Sequence, residues 1–480
     1  MQSLSQLRLG QFRRRDAAPG LVLAIVCAGV VLGSLDLFIV NVALPSIGRD
    51  LHERSLANLS WILNAYAIVY ASLLVLFGRL SEGRSRDLGF LIGVLAFTGA
   101  SAACGAASSL PMLVVFRIVQ AAGAALLTPT SLSLVLATAP AEKRQSSVRA
   151  WTALGGLAAA LGPVVGGVLV ALSWRWVFLV NVPIGIAALL VGWRRLPSVA
   201  GHPVPRPDLV GAALISAGVA GLTLGLVEGN DWGWGSPRVL ASIVGGVALL
   251  IAFGLRLRGG SNPLIDPALF RVRTFTGASL VSLTFMIAFG AMLLSIVLWM
   301  QSVWGYSALR TGLSIAPGPL LVLVFAFGVA GRLIERFGPG RVIALGATVY
   351  ALGALWWTVR AGLHPNYAGQ VLPGSLLTGA GVGLVLPTFM AVGTSSLPPA
   401  SFAAGSAVIN MLRQVGLAVG VALLIAILGT PHAPQATLEA FRHGWEAIAA
   451  AAVLSALAGA VILRQPRSHP VTRAGTVEAA

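Results

Sequence analysis

Charged residues are scarce in this chain of 480 residues: 10% are Asp, Glu, Lys or Arg, whereas 57% are apolar. A soluble domain usually has about 25% charged residues, because water solvates its surface. Fifteen acidic and 32 basic residues cannot cover the surface of a soluble protein of this length. The composition therefore excludes an ordinary soluble protein and indicates that lipid solvates most of the surface.

Lysine, cysteine and histidine are also few. The single lysine, Lys143, follows Glu142, which excludes a phosphate-binding loop because its lysine follows a glycine. Cys27 and Cys104 lie in apolar runs and supply neither a disulfide framework nor a cysteine metal site. The six histidines fall in predicted loops or tails, which argues against haem or zinc ligation inside a membrane. We expect no cofactor and no metal site.

Apolar runs of about 20 residues, long enough to cross a bilayer as helices, recur along the whole chain. Fourteen spans are predicted, at 20–46, 57–78, 88–108, 111–137, 150–172, 176–193, 209–229, 238–256, 275–302, 309–331, 341–359, 367–395, 402–428 and 443–463. The first run exceeds the length of a signal peptide and lacks a clear cleavage site, so we interpret it as a spanning helix. The sequence predicts an all-α polytopic membrane protein.

The basic residues are distributed unevenly between the predicted loops. With the N-terminus inside, the inner segments carry 23 of them and the outer segments carry seven, while Arg117 and Arg413 lie within spans. Because basic loops stay in the cytoplasm, both termini are predicted on the cytoplasmic side of the cell (inner) membrane. This topology accounts for the net charge of +17, and no nucleic-acid partner is expected.

The sequence contains an internal repeat. The second span ends at residues 78–82 with Gly-Arg-Leu-Ser-Glu, and the tenth ends at 331–335 with Gly-Arg-Leu-Ile-Glu. Transporters are often built from two related halves with the substrate site between them. The predicted domains are an N-terminal six-helix bundle, a linker with two extra helices, a C-terminal six-helix bundle and a cytoplasmic tail, at 1–195, 196–260, 261–465 and 466–480.

Several motifs carry a resemblance to a known family. The chain resembles the fourteen-helix drug:proton antiporters of the major facilitator superfamily at residues 35–45 (Leu-Asp-Leu-Phe-Ile-Val-Asn-Val-Ala-Leu-Pro), 117–123 (Arg-Ile-Val-Gln-Ala-Ala-Gly) and 162–167 (Gly-Pro-Val-Val-Gly-Gly). The similarity continues at 174–183, 269–271 and 410–414, and so spans nearly the whole chain. It implies a major facilitator fold of two six-helix bundles plus two additional helices, and proton-coupled export of small amphipathic compounds or drugs by alternating access.

The resemblance also implies two kinds of moving part. The antiporter motif of the fifth span would form a closing hinge, through Gly162, Pro163, Gly166 and Gly167. Cytoplasmic gate loops would follow the second and tenth spans, through Gly78, Arg79, Glu82, Gly331, Arg332, Glu335 and Arg336. The family pattern after the second span, G-x-L-x-D-R-x-G-R, is altered here by Glu82, Gly83 and Ser85. The corresponding loop after the tenth span keeps the family pattern at Glu335 and Arg336. We therefore expect the cytoplasmic gate to depend more on the C-terminal half.

Asp36 is the only acidic residue predicted inside the bilayer. A charged side chain there costs about 2.5–3.5 kcal/mol on insertion scales, so it needs a partner or a proton. At 1.5 Å per residue, Asp36 lies roughly 13 Å from Pro45 and Arg117 roughly 9 Å from Pro111, both at outer helix ends. Similar depths favour pairing, and we predict that the two residues couple transport to protons. The alternative is a static ion pair that holds two helices together.

Five more polar residues within the spans are candidates for lining a substrate cavity: Asn41, Gln120, Asn410, Arg413 and Gln414. Arg413 has no acidic residue within the C-terminal spans, so it either reaches toward water and carbonyl groups or binds an anionic group. Two arginines and one ionised aspartate give an embedded charge of +1, which disfavours a strongly cationic substrate. The expected partners are a small amphipathic substrate, protons and the lipid bilayer, and we expect a monomer.

Two other functions stay open on sequence grounds. Export of a lipid or a lipid-linked metabolite would use the same fold. A polytopic membrane enzyme, such as a lipid transferase, would need acidic or histidine clusters at a membrane face. The close acidic pairs, Asp50 with Glu53 and Glu228 with Asp231, have no evident metal or nucleophile beside them, so we expect that the protein is not an enzyme.

Overall fold

The structure is a computed structural model that describes residues 18–83, 85–201, 207–259, 263–398, 401–431 and 433–463. Within these residues, fourteen helices are long and apolar enough to cross a membrane, and no β-strand occurs. In chain order, α1 to α14 are Pro19–Asp50, Leu56–Ser81, Arg86–Gly105, Leu110–Thr138, Ser146–Leu172, Trp176–Arg195, Leu209–Val227, Pro237–Gly259, Arg273–Val303, Ala308–Phe337, Pro339–Arg360, Tyr367–Ser395, Ala404–Leu428 and Pro434–Ile462. The predicted all-α fold with fourteen spans is confirmed, while the tail at 466–480 lies outside the described residues.

Polar caps and prolines mark where helices begin. Ser55, Asp208 and Ser307 precede α2, α7 and α10, and each side chain accepts a hydrogen bond from a backbone N–H of the first turn. Proline occupies the first turn of α1, α4, α11 and α14, where its missing N–H removes no helical hydrogen bond. These signals place helix starts next to short loops.

Two predicted helix boundaries are wrong. α14 begins at Pro434 instead of 443, because its first turns bury Phe441 beside Trp299 and keep Glu439 exposed. α10 continues to Phe337 instead of ending at 331, because the charged side chains of its final segment are exposed to solvent. Hydropathy alone predicts a helix that is too short when its first or last turns are amphipathic.

The packing of the helices repeats in two sets of six. In the first set α1 packs on α5, α2 on α4, α3 on α4 and α3 on α6. In the second set α9 packs on α13, α10 on α12, α11 on α12 and α11 on α14. The two patterns correspond helix by helix once α7 and α8 are left out, as expected for two related halves. We call α1–α6 the N-terminal half and α9–α14 the C-terminal half.

The halves meet along two seams, α2 against α13 and α5 against α10. α7 packs on α8 and covers the first seam by contacting both α2 and α13. Arg256 of α8 donates to Asp208 in front of α7, with Nε 2.9 Å from Oδ1. Burial alone would raise the pKa of Asp208, but the hydrogen bonds from Arg256 and the Gly211 N–H outweigh it and lower that pKa. The two extra helices therefore form one unit tied together at its ends.

Candidate functional site: a buried carboxylate beside a central cavity

Asp36 and Arg117 lie in the middle of α1 and α4, and neither side chain is exposed. Nη1 of Arg117 donates a hydrogen bond to Oδ2 of Asp36. The structure therefore brings together the two residues that the depth argument paired. Their role in proton coupling stays a prediction.

Two amide side chains complete the surroundings of the carboxylate. Nε2 of Gln120 donates to Oδ1 of Asp36 at 2.8 Å, and Nδ2 of Asn181 donates to the same oxygen at 3.1 Å. Nε2 of Gln120 also lies 2.8 Å from Oγ of Ser101, and its Oε1 accepts from Nη1 of Arg117 at 2.7 Å. Hydrogen bonds to a charged group are stronger than those between neutral groups, so this network holds the carboxylate firmly.

The guanidinium of Arg117 has further contacts with α2 and α6. Its Nε donates to the carbonyl oxygen of Ile62 at 3.0 Å, and its Cζ lies 4.1 Å from the ring centroid of Tyr66 and 5.8 Å from that of Phe178. Its Nη2 is buried and has no hydrogen-bond partner among the described residues. Side chains of α1, α2, α3, α4 and α6 thus meet around one buried ion pair.

A narrow central cavity of about 30 Å³ lies between the two halves, beside this ion pair. Its lining residues are Leu37, Phe38, Asn41, Leu63, Asn64, Ala67 and Arg117 on the N-terminal side and Gly290, Leu293, Leu417, Ala418 and Val421 on the C-terminal side. Arg117 therefore belongs both to the ion pair and to the cavity wall.

The predicted cavity residues are found in three different surroundings. Asn41 lines the cavity, whereas Gln120 is a hydrogen-bond partner of the buried carboxylate and lies outside the lining. Asn410, Arg413 and Gln414 also lie outside the lining. Nη1 of Arg413 donates to Oδ1 of Asn410 at 2.9 Å, one turn earlier on α13. Their role in binding a substrate stays a prediction.

The glycines of the antiporter motif face two different helices. A Cβ added at Gly162 would lie 2.8 Å from Cβ of Phe38, and one at Gly166 would lie 2.8 Å from the carbonyl oxygen of Ile39. A Cβ at Gly167 would instead lie 2.7 Å from the carbonyl oxygen of Ala308, on α10 of the other half. Pro163 lies inside α5 between these contacts. The motif therefore joins α1, next to Asp36, to the α5–α10 seam.

A second glycine pair, missed in the sequence, has the same spacing on α13. A Cβ added at Gly416 would lie 2.7 Å from the carbonyl oxygen of Leu283, and one at Gly420 would lie 2.1 Å from that of Ile287. α13 therefore packs on α9 through glycines, as α5 packs on α1. The spacing of four residues between Gly416 and Gly420 was the feature of the sequence that could have indicated this close packing.

Four polar residues of this site were also missed: Asn64, Tyr66, Ser101 and Asn181. Each is a buried polar side chain in an apolar span, and Asn181 lies within the family-like segment 174–183. Polarity inside a span was the signal that could have found them. Which helix each one faces follows only from the packing.

The gate-loop residues lie at the ends of α2 and α10. Gly78 and Arg79 are half-buried, and the side chain of Glu82 lies outside the described part of the structure. Gly331, Arg332, Glu335 and Arg336 are exposed. Nη1 of Arg332 is 3.4 Å from the carbonyl oxygen of Gly328, and no ion pair joins the two loops among the described residues. Their gating role stays a prediction.

Comparison with known proteins identifies relatives along most of the chain. Residues 26–421 match the Major Facilitator Superfamily. A cephamycin export protein of Amycolatopsis lactamdurans is 35% identical over 85% of both chains. A puromycin resistance protein of Streptomyces alboniger is 34% identical over 92% of this chain and 90% of its own. A multidrug export protein of Haemophilus influenzae is 31% identical over 81% of this chain and 76% of its own.

Solved structures show the same fold at lower sequence identity. The crystal structure of an auto-inhibited peptide transporter of the POT family matches with a TM-score of 0.68 and 17% identity, over 95% of this chain and 99% of that one. At this identity the match concerns the fold alone. Together with the sequence matches and the repeated packing of two six-helix halves, it shows that the chain belongs to the Major Facilitator Superfamily, a family of membrane transporters.

Proposed function

We propose that the protein exports small amphipathic compounds in exchange for protons, by alternating access between its two halves. The observation that carries this proposal is the double role of Arg117, which binds the buried carboxylate of Asp36 and also lines the central cavity. A change in the protonation of Asp36 would release or retain the guanidinium, and so would change the cavity wall. The relatives named above, which export or confer resistance to antibiotics and drugs, support the same conclusion.

The lining of the cavity suits a small amphipathic compound. In this conformation the cavity has a volume of about 30 Å³, room for roughly two water molecules, so a compound enters when the two halves move apart. Most of its lining is apolar, with amides and one guanidinium as the polar groups. We therefore keep export of small compounds as the proposed function, with Asp36 and Arg117 as its proton-coupling pair.

We propose that this conformation is closed toward the outside. Nε2 of Gln301 on α9 donates to the carbonyl oxygen of Val42 on α1 at 3.0 Å, and Gly167 approaches Gly312 in the α5–α10 seam. These contacts lie at the end of the molecule that carries the α1–α2 loop. The distribution of basic residues supports an orientation in which that end is outside and both termini lie in the cytoplasm.

The remaining assignments follow from the same architecture. We propose that the bundles extend over 1–195 and 261–465, with the two extra helices at 196–260 between them. The protein would work as a monomer in the cell membrane, because one chain supplies both halves and both walls of the cavity.

Transport in proteoliposomes with an imposed pH gradient tests this function. The wild-type protein should move puromycin or another drug of a small amphipathic panel against its concentration gradient, and a protonophore should stop that movement. A pH dye inside the vesicles should report proton flow when the compound is added. Transport that continues after the gradient has collapsed would contradict proton coupling, and no transport of any panel member would contradict export.

A further inference from the structure

The formal charges around the central cavity favour an uncharged ligand. Among the residues that the structure describes, its lining contains no acidic residue, and Arg117 is its one charged side chain. The carboxylate of Asp36 is already bound by Arg117, Gln120 and Asn181. The Arg117–Asp36 pair has no net charge, so neither a cationic nor an anionic ligand would gain an opposite charge here that offsets its lost hydration.

Two of the lining residues each have one unused polar atom. Nδ2 of Asn64 lies 3.3 Å from Oγ of Ser60, whereas its Oδ1 is buried and has no partner among the described residues. Arg117 uses Nη1 and Nε, whereas its Nη2 is likewise buried without a described partner. Asn64 thus offers an acceptor and Arg117 offers a donor, and both side chains are fully buried.

Unpartnered buried polar atoms are rare in proteins and need an explanation by a ligand, a water or a conformational change. Both residues line the same cavity, and the rest of its lining consists of apolar residues and Asn41. Nδ2 of Asn41 already lies 3.4 Å from carbonyl oxygens of its own helix. Asn64 and Arg117 therefore supply the buried acceptor and the buried donor that have no described partner in this lining. An uncharged group that carries both a donor and an acceptor matches this pair.

We propose that the transported compounds are uncharged amphipathic molecules that carry a hydrogen-bond donor next to an acceptor, as a primary amide does. The acceptor of the compound would bind Nη2 of Arg117, and its donor would bind Oδ1 of Asn64. This inference rests on the proposed function, because it names the class of compound for the same cavity in the conformation where the halves have moved apart to admit it.

Binding of three naphthalene probes to the purified full-length protein in lipid nanodiscs tests the inference. The probes are 2-naphthamide, N,N-dimethyl-2-naphthamide, which lacks the donor, and (2-naphthylmethyl)trimethylammonium, which is a cation. Equilibrium dialysis should show the primary amide binding roughly fivefold to tenfold more tightly than the dimethyl amide, and the cation binding most weakly.

Variants separate hydrogen bonding from the size of the probe. Asn64→Leu keeps the size of the side chain and removes the acceptor, so the ratio of the two amide affinities should fall to about one. Asn64→Ala serves as a second variant if Asn64→Leu folds poorly in size-exclusion chromatography. The control is Thr223→Val on α7, which removes a buried unpartnered hydroxyl away from the cavity and should leave the ratio at the wild-type value.

Each outcome decides the inference. Equal wild-type affinities for the two amides, no binding of the primary amide, tightest binding of the cation, or a ratio that Asn64→Leu leaves unchanged would overturn it. Dialysis needs no pH gradient, so a failure of proton-coupled export in proteoliposomes is a separate result. A wild-type ratio near one with intact export would overturn the inference and leave the proposed function standing.

Discussion

At Asp36, three side chains from two other helices donate hydrogen bonds to one buried carboxylate. A static pair between α1 and α4 needs only Arg117 for charge balance. The additional amides of Gln120 and Asn181 can turn to present either an oxygen or an N–H group, so they can accept a hydrogen bond from a carboxyl O–H as well as donate to a carboxylate. This property supports our proposal that Asp36 exchanges a proton during transport.

Asp36→Asn should abolish export driven by a pH gradient while leaving the protein folded. The substitution preserves the shape of the side chain and removes the only acidic group buried in the middle of a span among the described residues. Drug efflux from proteoliposomes measures the effect, and thermal unfolding checks the fold. Asp50→Asn is the control, because Asp50 also pairs with an arginine, Arg175, but at the end of α1 and with a half-exposed side chain. Wild-type efflux in Asp36→Asn would refute the assignment.

Arg117→Ala should be more harmful than Arg117→Lys. Removing one partner of a buried ion pair typically costs about 3–5 kcal/mol, because the other charge stays buried without compensation. Lysine keeps the positive charge but loses the fixed fork that reaches Asp36 and Ile62 together. Efflux rates and thermal unfolding of both variants test this order. Equal rates and equal unfolding temperatures would show that the charge of Arg117 is not needed.

At the scale of elements, glycine pairs control how closely helices approach in both halves. Gly162 and Gly166 of α5 lie against α1, and Gly416 and Gly420 of α13 lie against α9. Backbone contact through small residues is a common way for membrane helices to associate. Phe38 and Ile39, which contact α5, lie within one turn of Asp36 on α1. A shift of α5 would therefore be transmitted to the ion pair.

Gly166→Val should lower export and open the outer side without preventing folding. The added side chain would clash with Ile39, and overpacking typically costs about 1–3 kcal/mol, comparable to the difference between two conformations. Gly156→Val on the same helix is the control, because no atom lies within 4 Å of a Cβ added there. Labelling of Val421→Cys by an impermeant maleimide from outside should rise in Gly166→Val only. If labelling and export of Gly166→Val stay at wild-type levels, the glycines of the motif serve only to pack α5 against its neighbours.

Sequence predicted the elements well where hydropathy and depth determine them. The fourteen spans and the depth match of Asp36 with Arg117 depend on composition and on the rise of a helix, both of which can be read from one chain. The start of α14 and the partners Gln120 and Asn181 depend on which face of a helix meets which neighbour. That information arises only when helices pack, so it was missing from the sequence-based prediction.

For the molecule as a whole, the loop between α7 and α8 links the two halves at the end that we propose is closed to the outside. Oε1 of Glu228 accepts from Nε1 of Trp61 on α2 at 3.3 Å. Nδ2 of Asn230 donates to the carbonyl oxygens of Ala426 at 3.0 Å and Ile425 at 3.3 Å, in the last turn of α13. The last carbonyls of a helix have no partner within it, so Asn230 caps α13 from another part of the chain. The extra helices thus take part in keeping the halves together.

Asn230→Ala should therefore favour the conformation that is open to the outside. We assign the two contacts of the single Nδ2 group about 1 kcal/mol net together. Because 1.4 kcal/mol corresponds to a factor of ten in an equilibrium, we expect roughly fivefold faster labelling of Val421→Cys from outside. The native thiols of Cys27 and Cys104 are buried and should add little background. Asn366→Ala is the matched control, because the side chain of Asn366 caps Gly369 within the C-terminal half alone. It should lower the unfolding temperature without changing the labelling rate, and equal labelling of the two variants would show that the loop does not hold the outer side closed.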